Sequence, residues 1–286
     1  MKPLFLVLLF GYGESPIEFF VAAGFLAMLA AFFVSAITDG FNVFKFEWLR
    51  KVNKDFGPKA EAAVTFQLGK FLYFTKLSLQ RRAEFVQRVL NFMESHNIDG
   101  IGDYNPGTPE KIHVAAAATQ LTFGLKDFVF ENFENIILYP QTFKLSPDGP
   151  MMKGATTPNG VIRISMKDFE EGYANPTNKL NVGLHELGHA LLMEFLKAIH
   201  EDNEVKQVVF PYLATSDKIM NAGKDRDDFL RDYAFTNRHE FFAVSVEHFF
   251  EAPVEFKEKL PELYKVMSNL LHQDPASNLP DYGIKR

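Results

Sequence analysis

Cysteine is absent from the 286-residue chain. That excludes disulfides, thiolate catalysis and Cys-ligated zinc, and it leaves imidazole and carboxylate to build any soft-metal site. An excess of basic residues is missing too: 30 Lys and Arg stand against 36 Asp and Glu, a formal net charge of -6, with the signs intermixed after the N-terminal region. No basic stripe is available to track a phosphate backbone, so nucleic acid is not an expected partner. Internal repeats are also lacking, as is low-complexity sequence outside one apolar run. What the chain has in quantity is apolar side chain, 47% of its residues, with 31 Phe. Most of these recur at helical spacing and read as packing for one sizeable core in one or two domains.

The apolar run is residues 19–37, FFVAAGFLAMLAAFFVSAI, uncharged and with Ser35 as its one polar residue. At roughly 1.5 Å per residue it extends about 28 Å, close to a hydrocarbon core. It predicts a single transmembrane helix, since it lacks the polar face of a soluble one. Lys45, Arg50, Lys51, Lys54 and Lys59 follow the run, whereas Glu14 and Glu18 offset Lys2 before it. The positive-inside rule then places the bulk of the chain in the cytoplasm, as a single-pass membrane protein. The competing reading, signal-peptidase cleavage at Val34-Ser35-Ala36, fits poorly with an acidic leader and basic residues after the run.

Beyond the run, residues 60–94 read as helix, with Leu68, Leu72, Phe85, Val89 and Phe92 three or four apart. Residues 99–109 read as turns, a second helix passes through residues 115–118, and NIILY (Asn135–Tyr139) and VIRIS (Val161–Ser165) read as short strands bounded by turn residues. The fold class expected is α+β, mostly helical, with a small sheet.

Residues 177–199 carry the strongest helical stripe after the run: Leu180, Leu184, Leu187, Leu191, Phe195 and Ile199. His185 and His189 stand one turn apart on another face, where two imidazoles reach one zinc ion. Glu186, beside the first, is placed to accept a proton from water without being a ligand. This is the HExxH arrangement, His185-Glu186-Leu187-Gly188-His189. A catalytic zinc needs a third protein ligand. In the second amphipathic helix, Arg238–Glu251, carboxylates lie among phenylalanines; a buried carboxylate needs a partner, so Glu240 or Glu247 is the candidate. The pattern alone leaves that choice open, and leaves open that both simply face solvent.

Across residues 60–274 the chain resembles the Mlc titration factor A group of zinc peptidases, which is similar to the catalytic domain of anthrax lethal factor. The resemblance rests on Ile137-Leu138-Tyr139-Pro140, the stretch from Asn181 through His189, and the segment from Tyr233-Ala234 through Glu240-Phe241-Phe242-Ala243-Val244 to Glu247-His248-Phe249-Phe250. It implies a zincin-like metallopeptidase domain over residues 44–286, helical to about 130 and catalytic from 131. The N-terminal segment 1–43, with the membrane helix read from the apolar run, is a departure from the group's soluble, best-known member. It implies Zn2+ held by His185, His189 and Glu240, with Glu186 as base, Tyr233 stabilising the oxyanion, and Glu247 behind the ligands. The substrate implied is a peptide or protein. The rival it suggests is a binding module that sequesters a regulatory protein such as a transcriptional repressor, with little hydrolysis. The chain departs from the group at Leu192, where an aspartate often follows the second histidine. The VIRIS strand is further expected to bind substrate backbone as an added strand.

Overall fold

In the computed structural model, which describes residues 56–126, 130–222 and 228–284, the first helical stretch is broken. α1 (Gly57–Gln67) tightens into a 3-10 turn at Leu68–Lys70, and α2 (Leu72–Thr75) follows an extended Phe71. α3 (Leu79–Ser95) starts afresh because Ser78 caps it, its hydroxyl accepting the Arg81 N–H. The predicted turn region opens on a strand, β1 (Asn97–Gly100), before α4 (Thr108–Thr122), an alanine-rich helix that is buried from Val114 to its end.

β2 (Asn135–Tyr139) and β4 (Val161–Ser165) form as the sequence predicts, and β3 (Gly154–Thr157) is an addition to it. The strand order is β1-β2-β4-β3, with the first three parallel and β3 antiparallel to β4. The alternating residues Ile136, Leu138, Ile162 and Ile164 are fully buried, so one face of the sheet is core. β4 has a strand on each side, and its backbone groups are already paired. The expectation that VIRIS takes up substrate backbone is therefore corrected: β3, not β4, ends the sheet.

After α5 (Met166–Ala174) comes the helix of the HExxH motif, α6 (Val182–Ala198). It is shorter at its start than the leucine stripe implied. Asn181 caps it through an Oδ1 that accepts the Leu184 N–H, Lys179 turns the chain with φ 62, and Leu180 stands outside, 56% exposed. α6 packs between β3 and β4 on one side and α4 on another. α7 (Asn203–Met220), a 3-10 turn (Asp232–Thr236), α8 (Arg238–Glu251), α9 (Pro253–Lys259) and α10 (Pro261–Leu271) complete the fold. α8 crosses α6 closely, because a Cβ on Gly188 would lie 3.4 Å from the Ala243 Cα. Phe241, Phe242, Val244, Val246 and Phe249 fill the core around that crossing, as the abundance of phenylalanine predicted.

The architecture is α+β, mostly helical with a small mixed sheet. Membrane placement is a different matter. Among the described residues no helix is long and apolar enough to cross a membrane. Even the 18-residue α7 carries Glu204, Lys206, Asp217 and Lys218. The single-pass reading and the orientation drawn from it are corrected on that finding; residues 19–37, on which they rested, lie outside the described residues.

Candidate metal centre

The α6–α8 crossing brings together three side chains that are 55 residues apart at the extremes. His185 Nε2 lies 3.2 Å from His189 Nε2 and 3.1 Å from Glu240 Oε2, and His189 Nε2 lies 3.5 Å from the same oxygen. Donor atoms about 2.0 Å from one tetrahedral centre sit roughly 3.3 Å from each other, so the three fit a zinc-sized ion. The chemistry of the set agrees, since imidazole nitrogen and carboxylate oxygen are ligand types that zinc takes. Glu240 starts α8 beside its cap, Asn237, whose Oδ1 accepts the His239 and Glu240 N–H groups. That fixes the first turn, and with it the carboxylate.

Glu247, two turns further along α8, is 1% exposed and stands behind the three donor side chains. Its Oε1 takes His185 Nδ1 at 2.6 Å and Arg231 Nη2 at 2.6 Å, while Oε2 accepts the Asn181 N–H at 2.9 Å. The reading that Glu240 and Glu247 merely face solvent is thereby overturned. Such a carboxylate fixes the tautomer and rotation of a ligand imidazole. Among the described residues His189 has no equivalent: its Nδ1 is buried without a hydrogen-bond partner there, one helical turn from the buried Leu192 that stands where resemblance leads one to expect an aspartate.

Glu186 is 5% exposed and is held from the sheet. Thr156 Oγ1, on β3, lies 2.8 Å from its Oε2 and 2.9 Å from its backbone oxygen. Gly154 leaves it room, since a Cβ there would come within 2.4 Å of the carboxylate. Burial raises the Glu186 pKa, and the neighbouring histidines and Thr156 only partly offset this. Tyr233, on the 3-10 turn, is 52% exposed with its ring 6.1 Å from that of His185. Burial, then the Glu240 charge and a hydrogen bond to it, push the phenol up to about 12, so it remains a proton donor. His185, Glu186, Tyr233 and Glu247 share a cleft of about 450 Å³ with Met151, Lys153 and Leu180.

Sequence reasoning named His185, Glu186, His189, Tyr233, Glu240 and Glu247, and all six gather here. It missed Asn181, Thr156, Gly154 and Arg231. An Asn just before an apolar helix is a cap signal that was readable; nothing local marks the other three.

These contacts give the metal-free chain a pH signature. Burial opposes charge on His185, but hydrogen bonds to Glu240 and Glu247 and the charges of Glu247 and Glu186 outweigh it and raise its pKa to about 9. The folded pKa exceeds the unfolded value of roughly 6.5. The stability this contributes is complete below pH about 6.5 and is lost as pH rises through about 9. Metal coordination needs the neutral ring, so adding zinc at a pH between those values should release protons. Calorimetry in buffers of different ionisation heat measures that release; none at all would mean His185 does not take the metal.

Comparisons with known proteins bear on the same region. Residues 47–272 match the family described as glucose-regulated metallo-peptidase M90. An uncharacterized protein of Synechocystis sp. is 22% identical over 231 residues, covering 72% of this chain and 82% of its own length. Mlc titration factor A of Salmonella paratyphi B is 20% identical over 240 residues, covering 72% of this chain and 87% of its own length. The protein of that name from Edwardsiella ictaluri is 24% identical over 183 residues, 54% of this chain and 66% of its own. The last two carry the name of the group that the motifs resemble, and the family match takes in α6, α8 and the residues that line the cleft. The chain belongs to the glucose-regulated metallo-peptidase M90 family.

Proposed function

We propose that the chain is a zinc-dependent peptidase in which His185, His189 and Glu240 hold the metal, Glu186 is the acid-base group and Tyr233 binds the oxyanion. The observation that carries this reading is the convergence of the three donor atoms beside the buried Glu186 carboxylate, with His185 and Glu186 lining an open cleft. Zinc bound there supplies Lewis acidity, enough to let water ionise near neutral pH. Glu186 takes the proton from the attacking water and later returns it to the leaving amine. Its raised pKa suits it to both tasks. The protonated Tyr233 phenol donates to the oxygen that gains charge as the carbonyl is attacked. Glu247 keeps the His185 ring in its binding orientation. An extended substrate segment lies along the outer edge of β3, adding a strand next to Glu186.

Gly154→Ala tests the geometry without altering any reacting group. The new Cβ must displace the Glu186 carboxylate, and kcat/KM for a peptide falls by about 10²-fold while bound metal is unchanged. Unchanged turnover would show that Glu186 has no need of its observed position.

A second reading takes the chain as a binder of a regulatory protein. The titration-factor name of its relatives favours it, and so do Met151, Leu180 and Tyr233, each more than half exposed at the cleft. Capture of a partner by a Glu186→Gln protein, with wild type hydrolysing no peptide, would decide for it.

A further inference from the structure

A second cavity of about 420 Å³ opens elsewhere among the described residues and shares only Asn181 with the metal cleft. Its walls are aromatic. Phe71 stacks on Tyr173 with ring centroids 4.9 Å apart, Phe169 lies 4.8 Å from Tyr173, and Phe250 and Tyr282 face them. Into this apolar wall is set Glu251, 8% exposed.

Glu251 is unusual in its partners. Oε1 accepts from Asn181 Nδ2 at 3.1 Å, and the Lys179 and Leu180 amides donate toward the carboxyl, but among the described residues the buried Oε2 meets no geometric hydrogen-bond partner of its own. Among the described residues no cation pairs with it. Arg231 is committed to Glu247, and Lys179 Nζ reaches Glu255 at 2.7 Å. Burial, with the nearby Glu247 charge, pushes its pKa up to about 7. A buried carboxylate is costly until a cation or a donor meets it.

We propose that this cavity is a binding site for a small organic ammonium ion, which places its charge against Glu251 and its apolar body between Phe71, Tyr173 and Tyr282. Aromatic faces carry partial negative charge, so a carboxylate and a ring cluster attract the same ligand. Charge at the mouth does not select against it: Lys70 and Lys76 are exposed there and so is Glu170, where solvent screens all three. The inference does not depend on the peptidase reading.

The test is titration of the full-length chain, stripped of metal, with three probes at about pH 8, where the amine is cationic and Glu251 is mostly ionised. These are phenethylamine, 2-phenylethanol and phenylacetate, which share a ring and differ in charge. The amine should bind at least about tenfold tighter than the alcohol, with phenylacetate weakest. Glu251→Gln should erase that preference and leave the alcohol's affinity as it was. His185→Ala should leave the amine's affinity intact. Equal binding of amine and alcohol, tightest binding of phenylacetate, or a preference that survives Glu251→Gln would each overturn the proposal. So would loss of amine binding in His185→Ala, which would move the amine to the metal cleft. Should Glu251→Gln fail to fold, the ranking of the three probes on the unaltered chain still decides.

Discussion

Glu186→Gln is expected to lower peptide hydrolysis by roughly 10²–10⁴-fold, the share of a rate usually carried by one positioned acid-base group. Metal content should not change, because the donor atoms belong to His185, His189 and Glu240. Glutamine keeps the shape of the side chain and an oxygen for the Thr156 hydroxyl, so the turn of α6 against β3 survives. What it loses is the lone pair that accepts a proton from water. Mass spectrometry of a mixed peptide library, read beside metal analysis of both proteins, measures the two quantities together. A variant that cleaves at the wild-type rate would remove Glu186 from the chemistry. Metal in both proteins with cleavage by neither would remove hydrolysis, and leave the binding reading in its place. Since burial raises the Glu186 pKa, wild-type activity should fall on the acid side at a pH above that of an ordinary glutamate.

Glu247→Ala should have the largest effect on stability. The carboxylate holds His185 Nδ1, Arg231 and the Asn181 N–H at once while 1% exposed. Removing it strands a half-buried guanidinium and a buried amide. Breaking a buried pair from one side costs roughly 3–5 kcal/mol, which denaturant titration resolves easily. The His185 ring also loses its anchor, and loss of such an outer carboxylate weakens metal binding by about 10–100-fold. Folding and metal affinity should fall together. A stable variant with normal metal affinity would mean that the network is incidental. The wild-type carboxyl follows the same logic with pH. Burial pushes it up, but the His185 hydrogen bond and charge, then Arg231, hold it below the ordinary range. Its stability contribution is present above the unfolded pKa and is lost only as pH drops through the lower folded value.

Much of the centre was legible because it obeys local rules. The i, i+4 spacing of His185 and His189 dictates that both rings share a helix face, and the fold places their nitrogens 3.2 Å apart. The choice between Glu240 and Glu247 was not legible from pattern, since both sit on one stripe of α8. The crossing of α8 and α6 brings the Glu240 oxygen to the two Nε2 atoms and leaves Glu247 on the Nδ1 of His185. β2 and β4 were legible as β-branched runs between turns. β1 (NIDG) and β3 (GATT) were not, because strands so short and poor in apolar residues take their conformation from neighbours already in the sheet. The same dependence on neighbours hid Arg231, whose role exists only once Glu247 is buried.

The meeting of Gly154 with Glu186 also bears on descent. A side chain at 154 and a carboxylate at 186 compete for one volume, so the two positions cannot drift independently. While hydrolysis is under selection, glycine at 154 is fixed. Among related chains that keep both histidines, any residue larger than glycine at this place would mark a lineage that has given up cleavage and kept the scaffold.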